Sequence, residues 1–248
     1  MAAVNAGAPS AVLHYVFDPL CGWCYAAAPL VQAARQVPGL AIALHGGGMM
    51  AGPNRIAITP RWRDHVVPHD RRIAQLTGQP FGEAYFEGLL RDPTAVMDSE
   101  PPTTAILAAQ ALGQRGLDMA HRIQQAHYAQ GRRVADAAVL RDLAAEMGLD
   151  AEAFHAAFAQ WQGAPTQAHF AESRQWLARA GGQGFPTLAL EQPGAPLQTL
   201  DIGPWLGQPE AWKTVLRQRL EAGRAAIAPA AIAPAGSALA CRPDGCAI

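Results

Sequence analysis

The chain of 248 residues is half hydrophobic, only 16% charged, and carries a formal net charge of −1 at pH 7. A chain of this length can bury a sizeable core, and its balance of residues is that of a globular protein rather than a disordered or nucleic-acid-coating one. No apolar run reaches the roughly 18–20 residues that cross a bilayer, and residues 1–10 lack the basic and apolar regions of a secretion signal. We therefore expect a cytoplasmic protein that binds neither nucleic acid nor membranes.

The first predicted elements form a strand–helix–strand unit. Residues 12–17 are β-prone and partly alternate between apolar and polar, which predicts a strand. An alanine-rich helix is predicted over 23–36, followed by a second strand over 40–45. Two strands joined by a helix are expected to be parallel, with a right-handed crossover.

A long helical region follows, from about residue 56 to residue 180, in which no segment predicts a strand convincingly. Asp136 and Asp150 each precede an apolar run with helical spacing and are predicted N-caps. A break at Gly181-Gly182-Gln183-Gly184 ends this region.

Strand character returns over 186–190 and 197–201, with a turn at Pro193-Gly194 between the two strands. Pro209 begins a last predicted helix, and residues 223–248 contain two Ile-Ala-Pro-Ala repeats that predict a flexible Ala/Pro-rich tail. The order is therefore βαβ, a helical block, and ββα.

The motif Cys21-Gly22-Trp23-Cys24 lies between the first predicted strand and the first helix. A thiolate is the reactive form of cysteine, and the free N–H groups and dipole of a helix N-terminus favour that anion. We therefore predict that Cys21, with an exposed sulfur, attacks a substrate disulfide, and that the more buried Cys24 resolves the mixed disulfide. Run backwards, the same steps oxidise a dithiol.

A zinc site is the main alternative for this motif. Zinc sites need a second ligand pair at a compatible distance. The other two cysteines, Cys241 and Cys246, fall in the predicted tail, and His65 and His69 have no neighbouring cysteine in the sequence. We therefore predict no metal and no bound cofactor.

Two further features were weighed as functional signals. His45-Gly46-Gly47-Gly48 matches the oxyanion-hole motif of lipases, but the chain has no G-x-S-x-G nucleophile. Asp18 could perturb Cys24 if it is buried nearby, although Asp-Pro is also a simple turn signal. We predict a catalytic role for neither.

The segment Phe17-Asp18-Pro19-Leu20-Cys21-Gly22-Trp23-Cys24-Tyr25, together with Gly184-Phe185-Pro186-Thr187 far downstream, resembles the DsbA-like branch of thioredoxin-fold proteins, and most closely the FrnE-type protein-disulfide isomerases. The resemblance covers about residues 12–222. It implies an α/β thioredoxin fold interrupted by an inserted all-helical domain. The expected parts are residues 10–50 and 181–222 for the thioredoxin fold, 51–180 for the insertion and 223–248 for the tail.

The resemblance also implies a cis peptide bond between Phe185 and Pro186, beside Cys21. A proline at this strand start removes a backbone N–H and would leave the backbone of Phe185 available to an extended substrate. Trp23 could contact apolar substrate segments or simply pack locally. The expected partners are protein or peptide thiols and disulfides, with glutathione as a further possibility.

The second cysteine pair, Cys241-Arg242-Pro243-Asp244-Gly245-Cys246, flanks a sequence that suits a type I turn. Such a turn would bring the two cysteines within the range of a disulfide. We predict a second redox couple that exchanges with Cys21 and Cys24; the alternative is a terminus with two incidental cysteines.

Two other functions remain open at this stage. Glutathione-dependent isomerases and kappa-class glutathione transferases share the DsbA-like fold, but they typically carry serine at the position of Cys21 and lack the second cysteine. A chaperone with vestigial thiols is the other alternative. The Gly-Trp dipeptide replaces the Pro-His of the strong oxidase DsbA, so oxidase, reductase and isomerase directions are all open.

Overall fold

The computed structural model describes residues 10–227. The elements of these residues are, in chain order, β1 (Ala11–Phe17), α1 (Gly22–Ala34), β2 (Leu40–Gly46), β3 (Ile56–Ala57), α2 (Pro60–Thr77), β4 (Val96–Met97), α3 (Glu100–Ala111), α4 (Gly116–Gln124), α5 (Ala137–Glu146), α6 (Ala151–Trp161), α7 (Ala164–Arg179), β5 (Thr187–Glu191), β6 (Gln198–Leu200) and α8 (Pro209–Ile227). Two π-helical turns, Ala84–Gly88 and Gln125–Ala129, interrupt the helical region.

The main sheet has four strands in the order β2-β1-β5-β6. β1 and β2 are parallel, with Ala11 opposite Leu40, as the helical connection between them requires. β5 returns antiparallel to β1, and β6 antiparallel to β5. The strand–helix–strand unit and the ββα ending therefore share one sheet, as in the thioredoxin fold that the family resemblance implied.

Helices cover both faces of this sheet. β1 directs Leu13, Tyr15 and Phe17 into the main hydrophobic core, because alternate side chains of a strand point to the same face. His14, on the other face, stacks on Trp176 of α7 with ring centroids 3.8 Å apart. The helical block thus lies directly against the sheet.

The helix boundaries follow local signals in most cases. The Asp150 side chain accepts a hydrogen bond from the Ala153 N–H at 2.8 Å, so its predicted N-cap is confirmed. Asp136 also stands at the N-cap of its helix, but its side chain makes no capping hydrogen bond.

Two predictions about element boundaries need correction. The inserted region contains a short antiparallel ribbon, in which Ile56 pairs with Met97; strands of two residues are too short to give a periodic signal. α8 continues to Ile227, beyond the predicted tail boundary at residue 223, because alanine-rich sequence favours helix until a proline intervenes. No helix within the described part of the chain is both long and apolar enough to cross a membrane.

Candidate redox site

Cys21 is the N-cap residue of α1, with extended backbone angles, and Gly22 begins the helix. The predicted position of the motif at a strand-to-helix junction is therefore found in the structure. No side chain caps this helix end, so its first N–H groups and positive dipole end lie beside the Cys21 sulfur.

Both cysteines are free thiols, and both are buried. Cys24 is fully inaccessible and Cys21 is 7% exposed. The prediction of an exposed Cys21 sulfur is therefore wrong, although its order relative to Cys24 is right. The sequence predicts that Cys21 lies at the N-terminus of a helix. It does not predict the burial, because the segments that cover Cys21 are far from it along the chain.

The thiol of Cys24 lies in a protein environment that opposes its ionisation. Burial raises the pKa of Cys24 well above its usual value, and the hydrogen bond and charge of Cys21 raise it further. The Asp18 N–H donates to Cys24 Sγ at 3.5 Å, and the Tyr15 hydroxyl donates to the Cys24 carbonyl at 3.1 Å. These contacts fix the inner cysteine in place.

Phe185 and Pro186 are joined by a cis peptide bond, as the family resemblance implied. The Cys21 thiol donates to the Phe185 carbonyl at 3.6 Å, although 164 residues separate them in the sequence. The Phe185 ring reaches this place because Gly47 has no side chain: a Cβ on Gly47 would lie 2.1 Å from Phe185 Cζ. Gly47, the residue after β2, thus makes room for Phe185.

A cavity of about 350 Å³ opens beside Cys21, within the size range of small-ligand sites. Trp23 and Phe185 line this cavity, and Trp23 also packs against the core. Of the three residues predicted to bind substrate, Trp23 and Phe185 therefore line the same cavity as Cys21, and Pro186 does not.

One wall of the cavity is formed by a face of α2, a helix for which the sequence predicts no functional role. The lining residues recur at i, i+3, i+4, i+7, i+8 and i+11, and they are Trp62, His65, Val66, His69, Asp70 and Ile73. This is helical spacing, but the stripe mixes aromatic, imidazole, carboxylate and apolar groups. This mixed stripe is the only sequence feature that could have indicated the cavity wall. It is a weak indicator, because a helix face that packs against a core is normally apolar throughout.

Asp18 is fully buried beneath the motif. Its carboxylate accepts hydrogen bonds from the Leu20 N–H at 2.9 Å, the Met49 N–H at 2.6 Å and the Ser99 hydroxyl at 2.9 Å. Burial raises the pKa of Asp18, and these three donors counteract that effect. Asp18 therefore ties the motif loop to the segment after β2 and to the start of α3, in addition to ending the strand.

Asp70 of α2 is 5% exposed and accepts a hydrogen bond from the Tyr85 hydroxyl on Oδ2 at 2.7 Å. A Cβ on Gly22 would come within 2.8 Å of Asp70 Oδ1, so the carboxylate packs directly against the first residue of α1. Burial raises the pKa of Asp70 to about 6. A titratable carboxyl group therefore lies beside the motif.

Within residues 10–227 no group of three or more His, Cys, Asp or Glu side chains is placed to hold a metal ion. His65 and His69 lie near each other, with ring centroids 5.3 Å apart, on the cavity wall. Cys241 and Cys246, the predicted second redox pair, lie outside the described residues.

Comparison with known proteins gives one family match. A model of the DSBA-like thioredoxin domain matches residues 12–199, which include the motif, Phe185 and Pro186. No match was found among curated proteins.

Solved structures give closer relatives. The cytosolic disulfide reductase DsbM from Pseudomonas aeruginosa is 55% identical with a TM-score of 0.80, and the match covers 85% of this chain and 99% of that one. A structure of the same reductase with GSH matches with 53% identity, a TM-score of 0.78 and the same coverage. A 2-hydroxychromene-2-carboxylate isomerase, 16% identical with a TM-score of 0.54 over 85% of this chain and 98% of that one, shares the fold alone.

Proposed function

Since the chain belongs to the family of DSBA-like thioredoxin domains and is a thiol–disulfide oxidoreductase, we propose that it works as a disulfide reductase in the cytoplasm. Cys21 is the attacking thiol in this proposal, and glutathione is the source of electrons. The observation that carries the proposal is the placement of Cys21 at the uncapped N-terminus of α1, next to an open cavity, with Cys24 fully buried behind it.

The reaction needs only the two sulfurs. The Cys21 thiolate attacks a substrate disulfide, forms a new S–S bond and releases one substrate thiolate, which takes up a proton. Cys24 then loses its proton and attacks Cys21 Sγ, which releases the second substrate thiol. The protein is left with a Cys21–Cys24 disulfide, and two glutathione molecules reduce it again and leave as glutathione disulfide.

Phe185, Pro186 and Trp23 are proposed to hold the substrate during attack. The Phe185 carbonyl is 3.6 Å from Cys21 Sγ, so a disulfide-bearing peptide that reaches Cys21 must pass this backbone. Extended peptides commonly bind through backbone groups of this kind. Trp23 adds apolar surface to the lining of the cavity.

The direction, the electron donor and the compartment rest on the relatives. The protein that shares 55% identity is described as a cytosolic disulfide reductase, and a second structure of that reductase is described as with GSH. The match covers 99% of the length of that reductase. A reductase that glutathione re-reduces should have a Cys21/Cys24 potential near that of the glutathione pool, about −220 to −260 mV, rather than the about −120 mV of a strong oxidase.

The experiment is a trapping assay with the Cys24→Ser variant, prepared like its control in a chain whose tail thiols are removed by Cys241→Ser and Cys246→Ser. We expect Cys21 of this variant to form a stable mixed disulfide with glutathione disulfide, detected as an added mass of one glutathione, because no resolving thiol remains. The matched Cys21→Ser variant, which keeps the buried Cys24, should show no adduct over the same time. An adduct on Cys24 in that control would contradict the assigned order of the two thiols.

A redox titration of the wild-type couple against glutathione tests the direction. A potential near that of DsbA would contradict a reductase and favour an oxidase.

A further inference from the structure

The cavity beside Cys21 contains a carboxylate without a cation. Asp70 lines the cavity and is 5% exposed. Its Oδ2 accepts from the Tyr85 hydroxyl, while its Oδ1 has no hydrogen-bond partner among the described residues. Asp70 takes part in no salt bridge within the part of the chain that the structure describes.

No lysine or arginine lines the cavity, and among the described residues neither of its two imidazoles, His65 and His69, forms an ion pair with Asp70. α2 carries several arginines, but Arg63 and Arg71 line a separate surface depression on the other side of the helix. A buried carboxylate that is not paired is costly to ionise. A cation that enters the cavity with a ligand would remove this cost.

The surroundings of Asp70 suit an ammonium group. Aromatic side chains line the same cavity, among them Trp62, Tyr85 and Tyr128, and aromatic surfaces attract cations. An ammonium group offers three donors, which can reach Oδ1 and adjacent acceptors together. A hydrogen bond between charged groups in a cavity is also stronger than the same bond in water.

The position of Asp70 links this site to the reacting sulfur. Its Oδ1 packs against Gly22, the residue that follows Cys21. A ligand held at Asp70 by an amine therefore has its remaining length available along the cavity towards the Cys21 thiol. A small peptide thiol has an amine and a sulfur separated by a few bonds, which fits this arrangement.

We propose that Asp70 is a specificity-determining residue that binds the protonated primary amine of small peptide thiols and disulfides while their sulfur lies at Cys21. This inference rests on the proposed function, since it names the class of thiol that the same site takes. Asp70 contributes binding and orientation, and the sulfur exchange itself remains with Cys21 and Cys24.

The test measures binding without disulfide chemistry. S-methylglutathione and its analogue with the α-amino group replaced by hydrogen are titrated into the reduced full-length protein by calorimetry. We expect the amine-bearing ligand to bind about 10- to 100-fold more tightly, the range of a charge-assisted hydrogen bond. In Asp70→Asn the ratio of the two dissociation constants should fall to about one.

The matched control is Asp64→Asn, which removes the same charge from the same helix. Asp64 is exposed and does not line the cavity, so the ratio should stay at the wild-type value. A wild-type ratio near one, a ratio preserved in Asp70→Asn, or binding of neither ligand would overturn the inference. The wild-type comparison needs no variant, so a ratio near one overturns the inference even if Asp70→Asn does not fold.

The trapping assay separates this inference from the proposed function. If bis(2-hydroxyethyl) disulfide, which carries no amine, modifies Cys21 in the Cys24→Ser variant while the calorimetric ratio is one, the oxidoreductase assignment stands and the role of Asp70 does not. If the ratio is high but no disulfide modifies Cys21, the amine site stands and the proposed order of attack is wrong.

Discussion

Asp70, the residue proposed to bind the amine, is expected to lower the free energy of unfolding of the ligand-free protein at neutral pH. Its pKa in the folded protein is about 6, against an ordinary value of 3.8, because burial disfavours the charged form. The folded state therefore holds its proton more tightly than the unfolded state does. Stability contributed by the protonated form is present below pH 4 and is lost as the pH rises through about 6.

We predict that Asp70→Asn stabilises the ligand-free protein at pH 7. The difference between the two pKa values corresponds to about 3 kcal/mol in the free energy of unfolding, as an upper bound for an amide that keeps the Tyr85 hydrogen bond. Urea unfolding at pH 7 and at pH 4 measures the effect, which should fall to about 0.5 kcal/mol at the lower pH.

Asp64→Asn provides the comparison for this stability measurement. Its carboxylate is exposed, and its change in unfolding free energy should stay within about 0.5 kcal/mol at both pH values. If Asp70→Asn lowers the free energy of unfolding at pH 7, the ionised carboxylate stabilises the folded state, and the prediction from its burial is wrong.

At the scale of elements, the segment after β2 decides how closely Phe185 approaches Cys21. The Gly47 N–H donates to the Phe17 carbonyl at 2.8 Å, which fixes this segment to the end of β1. Asp18 holds it from the other side through the Met49 N–H. With both ends tied, the segment cannot move aside for an added side chain at Gly47.

We predict that Gly47→Ala displaces Phe185 and slows adduct formation in the Cys24→Ser trapping assay. The added Cβ would lie 2.1 Å from Phe185 Cζ, and overpacking of this kind typically costs about 1–3 kcal/mol of stability. The expected reduction in trapping rate is about tenfold, measured by mass spectrometry at matched glutathione disulfide concentration, if about 1.4 kcal/mol of that cost falls on substrate placement.

Gly184→Ala is the matched control for this substitution. Gly184 adjoins Phe185, has no positive φ, and a Cβ there meets nothing within 4 Å, so stability and trapping rate should hardly change. Equal effects of the two substitutions would show that loss of glycine near Phe185, rather than contact with its ring, is responsible.

The whole chain includes a second cysteine pair, Cys241 and Cys246, beyond the described residues. We predict that these cysteines exchange with the Cys21/Cys24 couple, since the two pairs share one chain and such tethering raises their effective concentration. The double variant Cys241→Ser/Cys246→Ser should then transfer electrons more slowly in a single turnover, by stopped-flow with a disulfide substrate. Turnover at the wild-type rate would identify the tail cysteines as incidental.

Most elements of the fold, and the part of the site formed by the cysteine motif, could be predicted from the sequence. The elements around Cys21-Gly22-Trp23-Cys24 have clear periodicity and turn signals, and the Asp150 cap depends on residues only three positions apart. The α2 wall gives no clear sequence signal because its stripe mixes polar and apolar groups. The sequence also leaves open whether Asp18 is a turn residue or is buried beside Cys24, because its carboxylate binds donors up to 81 residues away.

The sequence by itself determined the strand-to-helix placement of the cysteine pair, and with it the thiol chemistry, because short-range spacing and backbone preferences act within a few residues. Only the tertiary structure decided that Cys21 is buried, that Phe185 lies beside it, and that Asp70 faces the same cavity without a cation. Those facts depend on packing between segments that are far apart in the chain. Burial and charge pairing are properties of the surrounding space, which the order of residues along the chain does not specify.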